Sequence, residues 1–110
     1  MIHKTFIETE SGPIARVTFR LPNGTWADTI HLVGDFNAWN YSSHPFQHGR
    51  EEGWTLTVDL EVGRCYQFRY RRDGEWINDG QADGYVHNRY GSDNFLVVTD
   101  PKFKPYSDGE

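Results

Sequence analysis

The chain has 110 residues, a single-domain length with no room for a second core. With 11 Lys and Arg against 16 Asp and Glu it carries a formal charge of −5, which argues against a nucleic-acid binder, whose affinity rests on neutralising phosphates, and against attachment to an anionic membrane surface. One cysteine, Cys65, excludes an intramolecular disulfide and a multi-thiolate zinc site.

No apolar run approaches the ~20 residues of a membrane span, and the first eight residues lack the apolar stretch of a signal peptide. A small, soluble, cytoplasmic protein is expected. Its unusual feature is ring content: seven Phe, six Tyr and four Trp make up 15% of the chain, while the whole hydrophobic class reaches 36%. Large rings supply a core with few residues, so where the surplus rings sit matters.

In chain order, the first dozen residues could form an extra edge strand or a loose arm. From Pro13 to Leu21 the chain alternates, with Ala15, Val17, Phe19 and Leu21 on one face and Arg16, Thr18 and Arg20 on the other, as a half-buried strand requires. Pro22-Asn23-Gly24 breaks it. Thr29 to Val33 is a second short apolar run, closed by Gly34-Asp35. Residues 36 to 52 collect Asn, Ser, His, Pro and Gly and are expected to form a long loop. Trp54, Leu56, Val58 and Leu60 then alternate with Thr55, Thr57 and Asp59, and Val62-Gly63 turns the chain. In Arg64 to Arg72, Tyr66, Phe68 and Tyr70 share one face and Cys65, Gln67, Arg69 and Arg71 the other. Asp73-Gly74 reads as a hairpin turn into Glu75-Trp76-Ile77. A second polar loop is expected over residues 78 to 93 and a last strand over Asn94 to Thr99. Asp100-Pro101 ends the domain, leaving a polar tail. No window holds a helical period over three turns. Several short strands separated by turns predict an all-β sandwich, with residues 1–12 as an N-terminal extension, 13–100 as the sandwich and 101–110 as the tail.

Trp39, Trp76 and Tyr90 stand outside the alternating core faces. Loop rings that do not fold inward are candidates for a binding platform. A flat ring suits a sugar because one pyranose face presents axial C–H groups that pack on the π surface, while the hydroxyls point around the edge. Asn37, Arg69, Asp73 and Asn94 are polar groups of the kind that bond such hydroxyls. The plainer alternative makes Trp39 and Trp76 satellite core residues, since Trp is highly buried on average.

Longer strings sharpen this choice. Leu32-Val33-Gly34-Asp35-Phe36-Asn37-Ala38-Trp39 resembles the GxFNxW signature of the glycogen-binding domains of AMP-activated protein kinase β subunits, and of the N-terminal early-set domains of isoamylases and branching enzymes. Tyr66 to Trp76, including Arg72-Asp73-Gly74-Glu75-Trp76, resembles the strand, turn and second tryptophan of that family. Asn78-Asp79-Gly80-Gln81-Ala82-Asp83 is similar to its ND-x-x-AD stretch, and Tyr85 to Asn94 to its closing Y-x-x-N-x-[FY]-G-x-x-N segment. The resemblance spans roughly residues 14 to 99. It identifies the chain with carbohydrate-binding module family 48 and implies an immunoglobulin-like, early-set β-sandwich that binds α-1,4-glucans such as glycogen and starch. By the same resemblance Trp39 and Trp76 are the stacking rings. Arg69 falls where the kinase subunits carry a hydroxyl-binding lysine, Tyr90 where they carry a leucine, and Asn94 on the asparagine that bonds glucose hydroxyls. Arg in place of Lys keeps the charge and changes the donor geometry.

Two other readings compete. Glycosidases use a pair of carboxylates, and Asp35, Asp73, Glu75, Asp79 and Asp83 are available. Aspartates in turns are expected for backbone reasons alone, however, and the resembling enzymes catalyse in a separate (β/α)₈ barrel of ~250 residues. A hydrolase label would be inherited from those multidomain proteins, so no catalytic residue, cofactor or metal ligand is expected. The other reading is a docking or regulatory module that packs on a glucan-active enzyme or kinase and has lost sugar binding. His44 and His48 lack metal-motif spacing and read as loop residues. The basic cluster of Arg64, Arg69, Arg71 and Arg72 is expected to pair locally with Asp73 and Glu75. The glycosylation-like triplets at Asn23 and Asn40 read as turns, and Cys65 carries no expected role.

Overall fold

The computed structural model describes residues 2–21, 24–51, 53–77, 82–89 and 91–103. Nine strands occur among these residues, in two antiparallel sheets. One sheet runs in the order β1 (Ile2–Thr9), β2 (Gly12–Leu21), β5 (Gly53–Glu61), β4 (Gln47–Gly49). The other runs β3 (Ile30–Gly34), β6 (Cys65–Arg72), β9 (Asp93–Val98), β8 (Gly84–His87), with β7 (Glu75–Ile77) also paired to β6. The only helical element among the described residues is a 3-10 turn at Asp35–Asn37. This is the all-β sandwich that the alternating pattern predicts, of the immunoglobulin-like early-set kind that the resemblance implies.

The alternating faces meet between the sheets. Ala15, Val17 and Phe19 of β2, Ile30 and Leu32 of β3, Phe68 and Tyr70 of β6, and Phe95 and Val97 of β9 are all buried. Phe19 lies at the centre, 5.1 Å from the Phe68 ring and edge-on to it at 67°, an arrangement aromatic pairs favour. Trp54 is buried and donates its indole N–H to the Thr25 carbonyl at 3.0 Å. Fully burying side chains of this size contributes about 1.5–3 kcal/mol each. On the outer face of the first sheet, Arg16 makes a two-pronged contact with Asp59 at 2.8 and 3.1 Å.

Two segments depart from the sequence expectation, and a third settles a choice that the sequence left open. Residues 2–9 form β1, paired with β2 from Ile2↔Phe19 to Thr9↔Gly12, which resolves the choice between an edge strand and a loose arm. The loop expected over 36–52 contains β4, held where Phe46 buries its ring and Gln47–Gly49 pairs with β5. The loop expected over 78–93 contains β8, paired with β9. Tyr85, Val86 and His87 are all exposed, so β8 presents no half-buried alternation by which its sequence could betray it. The expected turn at Pro22-Asn23, the stretch from Asn78 to Gln81 and the tail beyond Phe103 lie outside the described residues.

Candidate functional site

The middle of β6 creates the site. One edge of β6 is taken by β3 along Phe68–Arg72. The other edge is shared, by β9 along Cys65–Phe68 and by β7 along Tyr70–Arg72. Arg69 sits at the handover, between the Phe68↔Phe95 pair and the Tyr70↔Ile77 pair. Its side chain points away from the buried rings of Phe68 and Tyr70, to the outer face of the sheet. Trp76 rises beside it from β7 and Asn94 from β9. An open groove of about 790 Å³ results, lined by Trp39, Asn40, Tyr41, Arg69, Trp76, Asn88, Ser92 and Asn94.

Trp39 reaches this groove through a tightly built loop. Gly34 ends β3 with extended backbone, so its glycine answers to space rather than torsion. A β-carbon there would lie 2.6 Å from the Gln67 carbonyl oxygen and 2.9 Å from the Phe68 β-carbon. Phe36 packs against the core. Asn37 knits the loop: its carboxamide oxygen accepts from the Gly34 N–H at 3.0 Å, and its amide donates to the Leu32 carbonyl at 3.0 Å. Ala38 and Trp39 follow with φ of 53° and 58°, a left-handed conformation that costs non-glycine residues about 1–2 kcal/mol each and that tends to cluster at ligand sites. Asp35 repays part of that by accepting the Trp39 indole N–H at 3.0 Å and the Gln67 N–H at 2.8 Å.

Of the residues singled out in the sequence, Trp39, Trp76, Arg69 and Asn94 come together in the groove. All four are partly exposed, and neither tryptophan belongs to the hydrophobic core or packs against it, contrary to the satellite-core alternative. Asn94 donates to the Gln67 side-chain oxygen at 3.0 Å and accepts from Asn88 at 3.2 Å. Arg69 donates through Nη1 to Ser92 Oγ at a long 3.3 Å, while its buried Nε has no hydrogen-bond partner among the described residues. Tyr90 lies outside the described residues.

Asn37 and Asp73 prove to be structural. Asn37 is spent on the loop just described, and Asp73 accepts from the backbone N–H groups of Asp28 and Thr29, each at 2.9 Å. With Gly74 it makes the predicted hairpin turn, both residues having positive φ. The expected pairing of the basic cluster with Asp73 and Glu75 is not what the fold adopts. Instead the guanidinium carbons of Arg69 and Arg71 each lie 4.9 Å from the Trp76 ring centroid, and Arg64 pairs with Glu61. Asp73 is already committed to backbone donors, whereas a ring face is the nearest favourable surface for a guanidinium.

Sequence reasoning missed Tyr41. It lines the groove, is 54% exposed, and stands edge-on to Trp76 with centroids 5.5 Å apart. An aromatic residue two places after Trp39 in an otherwise polar stretch was the available signal. His44 is drawn into the loop network by Asn37 and Ser43, and His48 stacks on Trp54. Among the described residues no group of three His, Cys, Asp or Glu could hold a metal ion, and no helix is long and apolar enough to cross a membrane.

Comparison with known proteins agrees with the fold. The family model described as carbohydrate-binding module 48 (isoamylase N-terminal domain) matches residues 10–101. The chain is similar to the 1,4-alpha-glucan branching enzyme GlgB of Photobacterium profundum, with 30% identity over 95 residues, 84% of this chain and 13% of the relative. It is also similar to the 1,4-alpha-glucan branching enzyme GlgB of Synechococcus sp., with 34% identity over 94 residues, 82% of this chain and 12% of the relative. The chain therefore spans only about an eighth of the length of these curated relatives.

Proposed function

The chain belongs to carbohydrate-binding module family 48, and on that premise we propose that it binds α-1,4-glucan without catalysis, by stacking glucose rings on Trp39 and Trp76. The observation that carries this reading is the convergence of both indoles with Arg69 and Asn94 on one open groove. Axial C–H faces of two glucose units pack on the rings. The Arg69 guanidinium and the Asn94 amide take hydroxyl oxygens at the edge. Tyr90 flanks the chain in this reading. Because the groove is open on one side, part of the ligand stays wet and affinity is modest, unlike that of a pocket enclosing most of its ligand.

No catalytic barrel occurs among the described residues, and the carboxylate beside the groove, Asp35, is occupied by Trp39 and Gln67. The protein's role is accordingly to bring glycogen or starch to an enzyme that acts on it. One observation favours a docking role in place of sugar binding: Trp26, in the β2–β3 connection, is 90% exposed and lies outside the groove.

Titration calorimetry with maltoheptaose, and cellohexaose as control, separates the two. Saturable heat with the α-linked sugar alone supports the glucan reading. No heat with any α-glucan from a folded protein overturns it in favour of docking.

A further inference from the structure

The two tryptophans of the groove are held by different means. Trp39 is fixed through its indole N–H, which Asp35 accepts at 3.0 Å, and Trp54 in the core is fixed likewise through Thr25. Trp76 has no such tether: among the described residues its indole N–H makes no hydrogen bond, and it sits on β7, a strand of three residues at the side of β6. What holds its ring is a set of ring contacts. Arg71, directly opposite Trp76 in the β6–β7 register, places its guanidinium carbon 4.9 Å from the Trp76 centroid and 4.4 Å from the Tyr41 centroid. The two rings are perpendicular, at 86°, and 5.5 Å apart. Arg71 is thus in reach of both rings of a right-angled corner. It is not itself among the groove-lining residues, although both rings it touches are.

We propose that Arg71 and Tyr41 form a wedge that sets the orientation of the Trp76 ring, making Arg71 a positioning residue for the glucan groove. The consequence for binding rests on the stacking role given to Trp76 above; the positioning itself does not. A planar guanidinium lies flat on a ring more readily than an ammonium does, and it holds that ring by electrostatic attraction to the π face. Without it Trp76 keeps its backbone pairing through Arg71↔Trp76 and the Arg69 guanidinium 4.9 Å from its ring, but loses the contact that Arg71 shares with Tyr41 and that closes the corner. Trp76 would then have to be ordered by the sugar, at the sugar's expense in affinity.

The test uses the full chain in four forms: wild type, Arg71→Met, Arg71→Lys and Tyr41→Ala. Nitrogen-15 relaxation of the tryptophan indole N–H groups is recorded without sugar, the Trp76 signal being identified by its absence from Trp76→Phe. In Arg71→Met and Tyr41→Ala the Trp76 indole becomes more mobile on the fast timescale, while Trp39 and Trp54 do not change. Arg71→Lys, which keeps the charge but not the flat guanidinium, restores only part of the order. In parallel, maltoheptaose affinity falls about threefold to fivefold in Arg71→Met, in keeping with a partly exposed cation–π contact, and recovers in part in Arg71→Lys. Unchanged Trp76 relaxation in Arg71→Met overturns the proposal whatever the sugar does. If Arg71→Met does not fold, the same readout in Tyr41→Ala decides it from the other side of the wedge. A wild type that ignores maltoheptaose overturns the glucan reading and leaves the relaxation result to judge the wedge.

Discussion

The carboxylate of Asp35 holds the indole N–H of Trp39 at 3.0 Å, and its second oxygen accepts the backbone N–H of Gln67 at 2.8 Å. One side chain therefore locks a groove ring to the central strand of the sheet beneath it. Asp35→Ala removes both bonds and frees a loop that already carries two left-handed residues in succession, Ala38 and Trp39. Loss of a hydrogen bond to a charged group costs about 1.5–3 kcal/mol. We expect unfolding in urea to show a loss at the low end of that range, and calorimetry to show weaker maltoheptaose binding with Trp76 still in place.

Trp39→Ala and Trp76→Ala each remove a groove ring that does not belong to the core and that the proposed reading stacks on glucose. Each should weaken maltoheptaose binding at least tenfold, or about 1.4 kcal/mol. Each should also melt within a few degrees of the wild type, as changes outside the core usually do. A variant that fails to fold would mark its ring as structural, a result that circular dichroism reads directly.

Gly34→Ala tests the start of the same loop. Its new β-carbon would meet the backbone oxygen of Gln67 at 2.6 Å, an obstacle that no rotamer change relieves. Overpacking of this kind costs about 1–3 kcal/mol. The expected outcome is a lower urea midpoint with an unchanged m-value, together with weakened sugar binding as β3 moves off β6.

Cys65 stands at the start of β6, where burial first, and then the negative charges of Asp83 and Asp35, push its thiol above the ordinary value. A raised pKa leaves less thiolate at any given pH, and the thiolate is the nucleophile. At pH 8 iodoacetamide should alkylate Cys65 of the folded protein more slowly than that of the urea-unfolded chain. Raising the pH should narrow the difference as both states ionise.

Much of the fold was legible without coordinates because burial is one-sided. Ala15, Val17 and Phe19, and likewise Phe68 and Tyr70, alternate with polar neighbours, and a period of two marks a strand whose one face is dry. β8 escaped because Tyr85, Val86 and His87 are all exposed. β1 stayed ambiguous because pairing at a sheet edge satisfies backbone groups and leaves little trace in the side chains. Among the groove residues, Trp39, Trp76, Arg69 and Asn94 could be named from local strings and their order along the chain.

What those strings determined by themselves was the inventory: a two-layer β domain, rings surplus to its core, and the loop that carries Trp39. Which polar groups face a ligand and which hold the backbone was decided by tertiary structure alone. Asn37 and Asp73 have the chemistry of sugar contacts, yet Asn37 is consumed within its own loop by the Gly34 N–H and Asp73 by the distant N–H groups of Asp28 and Thr29. Tyr41 became a groove element, and Arg71 the neighbour of two groove rings, only when β6 passed from β9 to β7 and brought Trp76 within 5.5 Å of Tyr41. A side chain's chemistry is written in its residue type, whereas its availability depends on partners that lie up to 45 residues away in the chain, and only folding assigns those.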